Sequence, residues 1–193
     1  MKKSKVSTKN LVMCALLAAI IVVLQFLGSF IKFGPFSISL VLIPIVVGAA
    51  LCGKGAGAFL GAVFGLMVFA TDSALFLAIN PVGTFITVML KGILAGFAAG
   101  LIYDLLKKRN QYLAAVASAV VCPIVNTGVF LIFCRIFFMS LINQWAAEFG
   151  YASAGEYIIF ALVGGNFIFE LLVNIVLSPI IVKLINMRVK TTI

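Results

Sequence analysis

Six stretches of this chain are too apolar and too long for water to solvate them all. They cover 10–30, 36–52, 55–70, 82–106, 112–142 and 157–187. A helix needs about 20 mostly apolar residues to cross the hydrocarbon of a bilayer. The third run is short. The fifth and sixth are long enough to tilt or bend, with Pro123 and Pro179 as kink or boundary points. Across the chain 64% of residues are hydrophobic and only 10% are charged, against roughly 25% charged in soluble domains. A soluble domain of this size could not hide so much apolar surface. The predicted fold is therefore an all-α membrane protein, a bundle of six transmembrane helices forming one integral membrane domain over 1–193. The opening MKKSKVSTKN and the apolar run after it look like a signal peptide. That run of about 20 residues exceeds the ~7–15 of an h-region, and no A-x-A site closes it, so a retained first helix is expected.

Charge then orients the bundle. Lys2, Lys3, Lys5, Lys9, Lys54, Lys107, Lys108, Arg109, Lys183, Arg188 and Lys190 fall on one side, eleven of the fourteen basic residues. Lys32 falls on the other, with Asp72, Glu148 and Glu156; Lys91 and Arg135 lie within runs. The basic side is cytoplasmic by the positive-inside rule, which places both termini in the cytoplasm. The net charge of +9 is thus a topology signal. No basic stripe carries interleaved aromatics, so no nucleic-acid partner is expected.

Several chemistries lack their residues. There is no histidine, and Cys14, Cys52, Cys122 and Cys134 lie in or beside apolar runs without a CxxC spacing. No metal site, no cofactor and no catalytic site follow. With few carboxylates, acid–base catalysis has little to work with, so an enzyme is not expected. A GxxxxGK[ST] phosphate loop is absent, so the chain is not itself an ATPase.

The connections are short. Lys32-Phe33-Gly34-Pro35 reads as a turn, and Cys52-Gly53-Lys54-Gly55 as a tight hairpin. Thr71 to Pro81 is a longer loop. Gln144 to Glu156 is the most polar loop and holds Trp145, which with Tyr151 and Tyr157 fits an interfacial aromatic belt. Gly57, Gly61 and Gly65 recur every fourth residue in the third run, and Gly92, Gly96 and Gly100 in the fourth. Such stripes let helix backbones approach closely where lipid removes the hydrophobic drive. They serve either packing within the bundle or a docking face. Ala15 and Ala19 in the first run are the better docking candidates.

Ionisable groups at membrane depth are the strongest functional signal. A charge at a helix centre costs at least ~2.5–3.5 kcal/mol on insertion scales, so each needs a partner or a wet cavity. Lys91, Arg135 and Glu170 meet that description, and Asn126, Asn166 and Asn174 add polar groups. Asn166, Glu170 and Asn174 are four apart and share a helix face. Helices four to six, over 83–187, are expected to form one pocket open to the outside. Two cations against one carboxylate would leave excess positive charge, suited to an anionic ligand group. A Lys91–Glu170 ion pair with Arg135 snorkelling to the interface is the structural alternative. Asn80-Pro81-Val82-Gly83-Thr84 either closes over the site, with Asn80 as a ligand contact, or simply starts a helix.

Together these features resemble the substrate-binding S component of energy-coupling factor (ECF) vitamin transporters. Ala15 and Ala19 in MCALLAAI are similar to the alanine motif through which S components dock on the coupling subunit. FSISLVLIPIVVGAALCGKGAGAFLGAVFG, a loop and NPVGTFITVMLKGILAGFAAGLIYDLLKK are similar to the family's first four helices. The resemblance implies high-affinity capture of a water-soluble vitamin or precursor at a bacterial cell membrane. A coupling transmembrane subunit and two ATPase subunits would be partners, with the lipid bilayer around them. The subunit would topple to carry its pocket inward, with 1–106 including the docking face. Riboflavin-type members tend to place an asparagine and a lysine on the sixth helix. Asn166 has Glu170 beside it instead, and the positive balance favours a carboxylate ligand, pantothenate or a folate, over riboflavin. An autonomous secondary transporter or channel is the competing function; it would call for coupling-ion sites and often internal repeats, and no repeat relates the halves.

Overall fold

The computed structural model describes residues 8–30, 32–33, 36–37 and 40–190. The chain forms α1 (Thr8–Gly28), a two-residue antiparallel pair β1 (Lys32–Phe33) and β2 (Phe36–Ser37), α2 (Leu42–Cys52) and α3 (Lys54–Thr71). Next come a short α4 (Ala74–Leu77), then α5 (Pro81–Leu106), α6 (Gln111–Phe137), α7 (Met139–Glu148) and α8 (Ala154–Tyr157). A π-helical stretch, Ile158–Phe167, leads into α9 (Ile168–Lys190). Among the described residues, α1, α3, α5 and α6 are long and apolar enough to cross a membrane, and α2 is a shorter apolar helix.

The tightest contact in the bundle is between α3 and α5, and glycine makes it. A methyl group at Gly57 would collide with the Gly96 carbonyl, and one at Gly61 with the Gly92 carbonyl. Gly65 meets Val88 and Gly100 meets Lys54 in the same antiparallel register. Both glycine stripes are therefore spent on packing inside the bundle. Gly53, with φ of 93°, turns the chain from α2 into α3 in a region that other residues rarely enter.

A continuous apolar core surrounds this seam. Ile21 of α1, Leu42, Ile45 and Val46 of α2, Leu60 and Phe64 of α3, Ala95 and Ala99 of α5, and Ala115 and Ala119 of α6 are all buried in it. Helix α1 is the outlier. Only Leu17, Ile21 and Gln25, four apart, face inward, and 17% of its spanning window is buried against 39% for α5.

A second cluster closes the end of the bundle that carries α4, α7 and α8. Phe76, Phe138, Leu141, Ile142, Trp145 and Tyr157 are buried together there. Phe76 lies at its centre, with ring centroids 5.0 Å from Phe138 and 5.5 Å from Trp145, edge-on as aromatic quadrupoles prefer.

Several expectations change here. The second run begins its helix at Leu42; Phe36 and Ser37 are extended, in keeping with the alternating apolar and hydroxyl residues from Phe36 to Leu40. Gly34 and Pro35 of the expected turn lie outside the described residues, as do Lys2, Lys3 and Lys5. The fifth run breaks at Phe138. Beyond it α7 is amphipathic: Leu141, Ile142, Trp145 and Ala146 are buried, while Asn143, Gln144, Ala147 and Glu148 are exposed. Trp145 and Tyr157, at 6% and 1% exposure, are thus the anchors of a cap rather than an interfacial belt. The segment read as a polar loop begins as the polar face of this helix. It ends at Gly150, φ 77°, where Tyr151 N–H donates to the Ala146 carbonyl and Gly150 N–H to that of Ala147, a Schellman closure.

Candidate functional site

Lys91 is half-buried on α5, beneath the aromatic cap. Its Nζ stands 5.5 Å from the ring centroid of Phe64 on α3 and 5.3 Å from that of Phe130 on α6. Such contacts stabilise an ammonium by about 0.5–2 kcal/mol. They leave its three N–H groups without acceptors among the described residues. Among the described residues no carboxylate stands within ion-pair distance of Lys91 and none accepts its hydrogen bonds. Glu170 of α9 and Asp72 at the end of α3 act on its charge from further off. Phe130 also packs edge-on against Phe76, at 5.9 Å, so the cap and the Lys91 site share a wall.

One face of α6 runs from the cap down past Lys91. Cys134, Phe130, Asn126 and Cys122 are four apart and so fall in line. Cys134 is within electrostatic reach of Lys91, and Cys122 within reach of Glu170. Asn126 lies between these two points. The residues expected to meet, Lys91, Asn126 and Glu170, are therefore gathered around one strip of α6. Asn126 and Glu170 are 5% and 4% exposed. On α9, Asn174 is fully buried, and its Nδ2 donates to the Glu170 carbonyl oxygen at 2.8 Å. The Oδ1 atoms of Asn126 and Asn174 are buried with no hydrogen-bond partner among the described residues. Each such acceptor costs about 1–3 kcal/mol if it stays unsatisfied.

Other expectations fall elsewhere. Arg135 is exposed. It follows Cys134 in the last turn of α6, and adjacent helical residues point about 100° apart, so the turn that buries Cys134 sends Arg135 outward. Its neighbours Ile132 and Ile136 are 60% and 61% exposed, so it lies on the bundle's outer surface, as the snorkelling alternative had it. With Arg135 outside, one of the two cations expected in the pocket is absent from it. Asn80 caps α5: its Oδ1 accepts from Gly83 N–H at 2.8 Å, and Pro81 takes the first helical position. The helix-start reading of that segment is the one the structure supports. The Asn166 side chain lies outside the described residues, and its backbone belongs to the π-helical stretch, so four-residue spacing does not by itself align it with Glu170. Ala15 and Ala19 both face away from the bundle.

Sequence reasoning missed Gln25 and the partners of Lys91. Gln25 is the polar member of the buried face of α1 and is 3% exposed. Its Nε2 donates to Asp72 Oδ2 and, at 3.3 Å, to Thr71 Oγ1. A glutamine four residues after Ile21 and eight after Leu17 continues the inward stripe, and that periodicity was its available signal. Phe64 and Phe130 carried none, since each is one phenylalanine among eighteen.

A small-residue seam, a lightly packed first helix and an acceptor-less ammonium over a polar strip describe a membrane protein that binds a solute. Residues 9–185 match the family described as ECF transporter, substrate-specific component. The chain belongs to this family. A curated relative, the pantothenic acid transporter PanT of Lactococcus lactis subsp. cremoris (strain MG1363), is 31% identical over 94% of this chain and 95% of its own length. This substrate-specific component is a multi-pass protein of the plasma membrane and the substrate-binding subunit of a vitamin uptake system. Its family and its relative are transporter components rather than enzymes.

Proposed function

We propose that this component captures pantothenate, or a vitamin precursor of the same carboxylate class, from outside the cell. The observation that carries the reading is the Lys91 ammonium, set between Phe64 and Phe130 with no acceptor among the described residues. A substrate carboxylate supplies the acceptors that this group lacks, with a negative charge at contact distance. The likeness to PanT supports the same ligand. In this reading the bundle has six spans, with α2 and the α9 region completing the four longer helices, and both termini in the cytoplasm. The aromatic cap is then external, and Lys91, Asn126 and Glu170 line a pocket beneath it. Helix α1, with Ala15 and Ala19 outward, is the face that meets a coupling subunit, itself driven by two ATPase subunits.

Calorimetric titration of the purified protein with pantothenate, riboflavin and folate tests the ligand. Saturable binding of pantothenate alone is expected; saturable binding of none of the three overturns the proposal. Ala19→Trp tests the docking face. It should leave pantothenate affinity unchanged and abolish co-purification with the energising subunits.

A further inference from the structure

Lys91 accounts for only one end of the polar strip. The other end is built from acceptors. Asn174 cannot be turned round to offer a donor, because its Nδ2 is committed to the Glu170 carbonyl. Its Oδ1 is therefore fixed as an acceptor, fully buried and without a partner among the described residues. The Asn126 amide has no partner at its Oδ1 among the described residues either. A ligand rich in acceptors would meet repulsion along this strip; a ligand with O–H or N–H donors would satisfy it.

The order along the helices separates the two ends. Phe130, which faces Lys91, and Cys122, which faces Glu170, are two turns apart on α6, about 12 Å at 1.5 Å per residue. Asn126 falls midway. On α9, Asn174 is one turn beyond Glu170, and the antiparallel run of α9 against α6 places it at the end away from Lys91.

We propose that the site reads its substrate in one orientation, with the carboxylate at Lys91 and the hydroxyl and amide N–H donors on the acceptors of Asn126 and Asn174. This rests on the pantothenate reading. Pantothenate carries its acid at one end, two hydroxyls at the other and an amide between, which is the sequence of groups the strip calls for. Specificity then comes from both ends. A site that loses a ligand donor is left with buried acceptors unpaired, which is the costly case.

The test crosses three ligands with four proteins in calorimetric titrations. The ligands are pantothenate, its analogue with an alcohol in place of the carboxylate, and its analogue with both hydroxyls replaced by hydrogen. The proteins are wild type, Lys91→Met, Asn126→Leu and Asn174→Leu. In the wild type, loss of the carboxylate should weaken binding about 10²-fold, and loss of the hydroxyls at least about 10-fold. In Lys91→Met the carboxylate should cease to matter while the hydroxyls still do. In Asn126→Leu and Asn174→Leu the reverse should hold, and the surviving carboxylate effect certifies the fold of each variant. If Asn174→Leu does not fold, Asn126→Leu alone decides. A hydroxyl effect that survives these replacements, or that is absent in the wild type, overturns the orientation while leaving pantothenate as ligand. Failure of the wild type to bind pantothenate removes the ligand assignment as well.

Discussion

Along α3 and α5 backbone meets backbone. Gly57 and Gly61 lie against Gly96 and Gly92 with no room for a methyl group. Between α6 and α9 the contact is made of different material. Asn126, Glu170 and Asn174 are buried there, two of them with an acceptor left open. The first contact has spent all its bonding capacity on the fold. The second keeps some in reserve at a cost in stability, and a protein retains such a cost where a ligand repays it. In lipid, where apolar surface does not distinguish inside from outside, this contrast separates scaffold from site better than hydrophobicity does.

The contrast can be broken most severely at the seam. Gly61→Leu should prevent recovery of folded protein from detergent, read by size-exclusion profile. The side chain would have to displace the Gly92 backbone, and backbone gives way less readily than the side chains behind the usual overpacking cost of about 1–3 kcal/mol. Lys91→Met should do the opposite, lowering pantothenate affinity about 10²-fold in titrations while the thermal midpoint stays within a few degrees. If the two variants behave alike, the division between scaffold and site is wrong. Asn80→Ala removes the cap of α5 and should cost about 1 kcal/mol. That is a shift of about 2–4 °C in melting temperature for a chain of this size, with affinity unchanged. Arg135→Ala should alter neither quantity measurably, because the side chain is on the outer surface.

Much of this architecture was legible in the sequence, for a specific reason. Apolar runs, prolines and a four-residue glycine repeat are local features, and they placed α3 and α5 to within a residue or two, while leaving open what the glycine stripes pack against. Lys91 and Glu170 stood out because charge in lipid is costly wherever it points. Direction was the information that was missing. A soluble helix declares its inner face by an apolar stripe, but a helix apolar all round does not. Arg135 was therefore counted with the pocket, and only the packed bundle shows that it turns outward while Cys134 turns inward. The break at Phe138 was hidden because apolar residues continue across it as far as Ile142. The π-helical stretch was equally invisible, since Ile158–Phe167 is uniformly apolar up to Asn166 and its wider winding leaves no mark on hydropathy.

The glycine seam also limits how this molecule can move. Two helices interlocked at carbonyl range have no slack in which to slide, since a shift of one residue would drive a Cβ into the opposing main chain. The α3–α5 pair is accordingly a keel. Whatever admits a solute to Lys91, or lets it go, has to happen at the joints around that keel: the break at Phe138, the turn at Gly150, and the polar tie from Gln25 to Thr71 and Asp72 that helps moor the lightly held first helix.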